Sequence, residues 1–468
     1  MWLRKHFRSS IWLLSLSAMF PLFTLRGYSQ ISLISSVSLA LSSDPRIRMA
    51  ESDVARARAS LQEARDAFIP SVTGSSSGAG YSYGFPLGVP TVFSFSAQSL
   101  VFSFSQNDYI RAAREGLVAS NRTLNEIRED VTEDTTVTYL ALSNDQQRHD
   151  ALLQEATYAT RLQQIVKDRL DAGRATEIDY LRAKRNVVQI HLQVLQVEDA
   201  MANNGDHLGR LIGIPGNKLI ADPASIPSLP AERASSEPSN TPPLIEETIP
   251  DSPAVAASFA NANSKREQAS GDSRYVLLPQ FSFGAQYGRF STYNNTYATY
   301  YPSVTAHGLS ENAVGFGVNI TVPFFDASHR ARARVGAAEA VHAEQQALID
   351  RRQYREELLK LSHSLAELQT RAQLASIDRD IAQQQLAVIL LQLNASGTAR
   401  PNTPPMTPED EQNARILERQ RYVDMLDAVF QLRQADIHFL KQSQQLSQWL
   451  AHDVVNGTAF SPGSTDLP

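Results

Sequence analysis

The residue types that most often carry chemistry are sparse or scattered in this 468-residue chain. It has ten histidines and no cysteine. His149, His191, His342 and His363 fall in segments rich in Gln, Arg and Glu, and no pair has the H-E-x-x-H spacing that would put two ligands on one helix face. Without Cys there is no disulfide scaffold, thiolate metal site, thiol nucleophile or Cys-linked lipid anchor. No G-x-S-x-G elbow, phosphate-cradling Gly loop or dinucleotide fingerprint occurs. Gly315 and Gly317 lie in an alternating strand pattern on which no helix opens. Asp and Glu are spread along helical faces as solvated flanks. No enzyme, cofactor or metal centre is expected.

The residues that do form a pointed pattern are small and polar. Gly315, Gly317, Asn319 and Thr321 alternate with Val314, Phe316, Val318 and Ile320, while Ser282, Gly284 and Gln286 alternate with Phe281, Phe283, Ala285 and Tyr287. A period of two predicts strands with one apolar and one small-polar face. A stretch from Ala67 to Asn107 has no charge at all, and one from Tyr275 to Phe325 holds only Arg289 and Glu311. In the first, Phe93, Phe95 and Ala97 share one parity and Leu100, Phe102 and Phe104 the other, a switch near Gln98 that predicts a bulge or a strand end. Soluble sheets carry Lys, Glu or Arg on their wet face, whereas charge-free apolar-out, polar-in strands of about ten residues mark a transmembrane β-barrel. The small-polar set is therefore the expected lumen lining. The alternative is an exported coiled-coil binding or structural module whose hairpins pack together in water.

These hairpins interrupt a helical chain. Ile110, Leu117, Leu124 and Val131 fall seven apart, as do Leu181, Val188 and Leu195, and Leu358, Leu361, Leu365 and Leu368 step by three and four. This is coiled-coil spacing. No Pro interrupts 106–171 or 327–394, so each predicts a rod of roughly 100 Å. The charge balance, 43 Lys+Arg against 49 Asp+Glu, supplies no basic face for nucleic acid. At the N-terminus Arg4, Lys5 and Arg8 precede an apolar run from Ile11 to Leu25, then Gly27 and Ser29. That is a signal-peptide layout, with cleavage expected after Ser29. The run is too short to span a bilayer, which takes about 20 residues.

The order helix, hairpin, helix, helix occurs twice. Glu115 aligns with Glu339 and Gly173 with Gly397 at an offset of 224. Asp179-Tyr180-Leu181-Arg182-Ala183 then matches Asp424-Met425-Leu426-Asp427-Ala428 at 245, which predicts a 21-residue insert at 398–418. Thr407-Pro408-Glu409-Asp410 reads as a helix start, with Thr as N-cap and Pro at N1. The helix is expected to run towards Trp449 and to exceed its partner in length. The expected segments are a signal peptide (1–29), a helix (30–68), hairpin one (69–104), a helical hairpin (105–214), a Pro-rich linker (215–250), a helix (251–278), hairpin two (279–325), a second helical hairpin (326–452) and a polar tail (453–468).

Arg169-Leu170-Asp171-Ala172-Gly173-Arg174-Ala175-Thr176-Glu177-Ile178-Asp179-Tyr180-Leu181 resembles the first helical-hairpin tip of the TolC-like outer-membrane efflux protein family. Leu208 to Pro215 is similar to the end of that family's first repeat, Phe68-Ile69-Pro70 and Leu278-Pro279-Gln280 to its strand entries, and Val322-Pro323-Phe324-Phe325-Asp326 to its strand exit. The exit Ser99 to Phe102 lacks the Pro and the Asp. The resemblance implies a mainly α fold with transmembrane β: long coiled-coil helices and two β-hairpins per chain, with a homotrimer sharing a 12-stranded barrel and a periplasmic α-barrel. It also implies an exit duct for tripartite efflux or type I secretion, placed in the outer membrane, in contact with its lipid, and working with a periplasmic adaptor and an inner-membrane pump. The helical tips, Gly173, Arg174, Thr176, Asp179 and Leu181 with Gly397, Asp424 and Leu426, are then the expected docking end.

Overall fold

The computed structural model describes residues 29–76, 91–214, 219–227, 251–290, 312–394 and 406–457. The signal-peptide segment, most of the Pro-rich linker, the Tyr-rich hairpin loop, Gly397 and the first half of the predicted insert lie outside the described residues.

Strand β1 (Ser29–Ile31) leads into helices α1 (Leu33–Ser43) and α2 (Pro45–Asp66). Where one helix was expected there are two, because the Asp44 side chain caps α2 and Pro45 sits in its first turn. Strands β2 (Ser71–Ser75) and β3 (Thr91–Ser103) follow, then the 68-residue helix α3 (Phe104–Asp171) and the 35-residue α4 (Glu177–Leu211). Strand β4 (Leu219–Ala221) and a 3-10 turn (Pro223–Ser225) lie within the expected linker. The second repeat comprises α5 (Pro253–Leu277), β5 (Gln280–Phe290), β6 (Asn312–Thr321), the 68-residue α6 (Ala327–Asn394), the 35-residue α7 (Pro408–Gln442) and a last helix α8 (Leu446–Gly457).

Two expectations about the second repeat are corrected. Helix α7 does start at Pro408, but it ends at Gln442 and matches α4 in length. Gln444, at φ 57°, then reverses the chain where Gly213 does so in repeat one. The capping boxes Thr176/Asp179 and Thr407/Asp410 are 231 residues apart, not 245. Five residues join α3 to α4 and thirteen join α6 to α7, so the second tip is eight residues longer rather than twenty-one.

The four longer strands form one antiparallel sheet in the order β2-β3-β5-β6. Each runs directly into or out of a helix, so the helices next to the sheet repeat that order: α2 on α3, α3 on α5, α5 on α6. Beyond them α4 and α7 take over, in the order α4-α3-α7-α6. The long helices and the sheet thus form a single layer, onto which α1, α8, β1 and β4 pack. Its largest core lies at mid-height, where Leu33, Val131, Tyr139, Leu208, Ile437 and Leu446 are buried together. There β1 pairs in parallel with β4, and the Tyr139 hydroxyl lies 2.7 Å from the Ile31 carbonyl and accepts the Asp222 N–H at 2.8 Å. Lys441 of α7 joins this level to α3, reaching Asp130 at 2.5 Å, Glu133 at 3.2 Å and Glu126 at 3.6 Å.

Candidate functional site: sheet face, helical tip and open edges

Strand register decides which side chains share a face. Phe281 pairs with Ile320, Phe283 with Val318, Ala285 with Phe316 and Tyr287 with Val314. Phe95 pairs with Tyr287 on one side and Gly74 on the other, and Val72 pairs with Ala97. One apolar face therefore runs across all four strands. The opposite face holds Ser282 with Asn319, Gly284 with Gly317 and Gln286 with Gly315. Thr321 continues it opposite Gln280, and Ser71, Thr73 and Ser75 extend it opposite Gln98, Ser96 and Ser94. All seven small-polar residues named from sequence fall on this one face. Its hydroxyls bond to each other, Thr73 to Ser96 at 2.7 Å and Ser75 to Ser94 at 2.8 Å. The parity switch expected near Gln98 is a bulge between Leu100 and Phe102, which leaves Leu100 opposite Ser282 and returns Phe102 to the apolar face beside Phe281.

Both faces of β6 are exposed along all ten residues, with Phe316 at 82% and Val318 at 64%. Among the described residues neither β2 nor β6 has a second neighbour. The Ser, Gly and Gln face is wettable, whereas the Val, Phe and Ile face is not.

At the far end, α3 stops with Gly173 at φ +70°. Gly173 N–H donates to the Leu170 carbonyl and Arg174 N–H to the Arg169 carbonyl, a Schellman closure that only a residue tolerant of positive φ allows. Thr176 then caps α4: its hydroxyl accepts the Asp179 N–H at 3.2 Å, and the Asp179 carboxylate accepts the Thr176 N–H at 3.2 Å. The Thr176 hydroxyl, donating to the carboxylate at 2.7 Å, and then the Thr176 N–H hold the Asp179 carboxyl below the usual carboxylate range. Thr407 and Asp410 repeat the arrangement at the start of α7, with the same lowering of Asp410. Arg169 pairs with Glu409, so the two tips are joined side by side. Gly173, Arg174, Thr176, Asp179 and Leu181 all stand together at this end, exposed. Asp424 and Leu426 do not. They lie near the middle of α7, and Leu426 is buried. The residues that occupy the equivalent tip are Thr407 and Asp410. Glu409 and the exposed Ile178 also belong to the tip and were not singled out from sequence, although the capping pattern at Thr407 pointed to the place.

The two outermost helices of the far half each carry an uncovered stripe. On α4, Ile178, Leu181, Val188, Leu192 and Leu195 are exposed. On α6, Leu374, Ile377, Ile381, Val388 and Leu391 are exposed. Leu181, Val188 and Leu195 are seven apart, as are Leu374, Ile381 and Val388. Each stripe is a coiled-coil seam without a partner helix among the described residues. No helix among the described residues is long and apolar enough to cross a membrane, and no cluster of His, Asp and Glu among them has the arrangement of a metal site.

Comparison with known proteins bears on this geometry. Residues 36–214, the first repeat without its leading strand, match the family model described as outer membrane efflux protein. No curated protein matches the chain. Among solved structures, the Campylobacter jejuni CmeC outer membrane channel is similar at 16% identity and a TM-score of 0.67, over 91% of this chain and 89% of that one. The outer membrane protein VceC from Vibrio cholerae is similar at 15% identity and a TM-score of 0.66, over 88% and 95%. A membrane protein from Pseudomonas aeruginosa is similar at 17% identity and a TM-score of 0.69, over 88% and 93%. The chain therefore has the fold of outer-membrane channels along nearly its whole length. Its resemblance to the outer-membrane efflux protein family, read first from the tip and the strand entries, holds.

Proposed function

We propose that the chain is the outer-membrane exit duct of a tripartite efflux or type I secretion system, and that it conducts cargo passively through a water-filled tube. The observation that carries this reading is the pair of open edges. A four-stranded sheet is too small to close, since single-chain outer-membrane barrels start at about eight strands. An open edge in lipid would leave a row of backbone groups unsatisfied. The α4 and α6 seams pose the same problem in water, where each leaves a stripe of Leu, Ile and Val uncovered. Both edges differ in sequence from the edges they must meet, so the contact is heterologous and closes as a ring. Three copies, the number the family resemblance implies, give 12 strands and an α-barrel of matching helices.

In such a ring the apolar sheet face meets lipid, and Ser282, Gly284, Gln286, Gly315, Gly317, Asn319 and Thr321 line the lumen. The tips at Gly173 and Thr407 reach down into the periplasm, where exposed Arg174, Ile178 and Leu181 dock an adaptor protein. Energy comes from an inner-membrane pump coupled through that adaptor. The test is fractionation followed by native mass measurement. Release from the outer membrane only by detergent, at the mass of three processed chains, is expected. A monomer recovered in the periplasmic fraction without detergent contradicts the reading.

A further inference from the structure

Where β6 hands over to α6, the apolar sheet face gives way to an aromatic and basic band. Phe324 and Phe325 are 88% and 80% exposed. They are followed by Arg330, Arg332 and Arg334, with no acidic residue between Asp326 and Glu339. Asp326 is engaged with its own helix, accepting the His329 N–H at 3.0 Å and the Ser328 hydroxyl at 2.8 Å. Arg332 lines a cleft with Tyr109 and Asp272. Arg330 and Arg334 do not. They are one helical turn apart on the same face, both exposed, and neither makes an ion pair among the described residues. The Arg330 guanidinium lies over the Phe325 ring, 5.5 Å from its centroid.

We infer that Arg330, seated over Phe325, and Arg334 bind the phosphate of an anionic phospholipid at the level where the sheet leaves the bilayer. This rests on the outer-membrane reading, which puts the apolar face of the sheet in lipid. The height of the site follows from continuity. The lipid-facing series Val314, Phe316, Val318 and Ile320 ends at the aromatic pair, and aromatic residues sit at the headgroup level of such barrels. Two guanidiniums that make no ion pair among the described residues, one turn beyond that level, are within reach of the headgroups, and a planar guanidinium matches phosphate oxygens in bidentate fashion.

The experiment uses the full chain, purified in detergent and reconstituted into vesicles of phosphatidylcholine alone or of phosphatidylcholine with phosphatidylglycerol. Wild type is compared with the double variant Arg330→Gln/Arg334→Gln, and lipid retained on the oligomer is read by native mass spectrometry. Wild type should retain phosphatidylglycerol over phosphatidylcholine, with a preference that falls as salt rises. The variant should insert and assemble normally but lose roughly fivefold of that preference for each arginine removed. Equal phosphatidylglycerol retention by both proteins overturns the inference. So does an oligomer that falls apart in both lipids alike, which would assign the arginines to a contact between copies. Failure of wild type to insert into either vesicle would instead remove the membrane reading, and the lipid site with it.

Discussion

Gly173 and Gly213 both hold positive φ, +70° and +77°, at the end of a helix, and they differ in surroundings. A Cβ at Gly173 would meet nothing within 4 Å, whereas at Gly213 it would come 3.1 Å from the Cβ of Ser43, whose hydroxyl is held by the Leu211 carbonyl at 2.8 Å. Gly173→Ala should therefore cost only the left-handed backbone penalty, about 1–2 kcal/mol, and Gly213→Ala should cost more in denaturant midpoint. Equal losses would mean that the Ser43 contact yields freely. Lys441 is the other residue on which much depends. Its side chain is 13% exposed and faces Glu126, Asp130 and Glu133. Burial alone would lower its pKa, but the bond to Asp130 and the charges of Glu133, Asp130 and Glu126 raise it, so it stays charged. Removing it leaves three carboxylates facing one another. Lys441→Met should destabilise the helical body by about 3–5 kcal/mol, read as a lowered thermal midpoint. A midpoint within a degree of wild type would show that water or counter-ions fill the role.

At the level of elements, the heptads are the feature that sequence made plainest and also the one that misled. The alternation of 314–320 with 315–321 specifies one strand with two unlike faces, and Thr407-Pro408 specifies a helix start. The match of Asp179 to Asp424, by contrast, is displaced from the capping-box alignment by 14 residues, two heptads. A sequence that repeats every seven residues resembles itself at such shifts, so residue similarity inside a rod cannot fix its register. Caps can, because they occur once per helix. The strands β1 and β4 were not legible at all. Each is three residues long, too short for a periodicity, and their pairing depends on Tyr139 far along the chain. Nor does sequence say which heptad stripes are covered, since Leu124 and Val188 look alike but one is buried and the other 61% exposed. That difference carries a prediction. Val188→Glu puts a charge in the α4 seam and should leave the fold of the single chain intact while weakening assembly by about 2 kcal/mol per contact. Sedimentation in detergent should show the oligomer shifting to monomer. An undisturbed oligomer would mean that the seam faces solvent and the ring closes elsewhere.

For the whole molecule, one idea links the layer of helices to the sheet: among the described elements only the two edges lack a neighbour, and the proposed ring of copies supplies it. In that proposed ring the sheet becomes a barrel with hydroxyls, amides and glycines inside and Val, Phe and Ile outside. Because the chain has no cysteine, single introduced thiols report without background. Asn319 and Val318 are adjacent on β6 and lie on opposite faces. The most direct test is single-channel conductance of purified Asn319→Cys and Val318→Cys in a planar bilayer, before and after adding a bulky, charged, water-soluble thiol reagent. The account predicts a stable conductance in both, a sharp reduction on labelling for Asn319→Cys, and no change for Val318→Cys. Absence of any conductance, or the same response from the two variants, would contradict it.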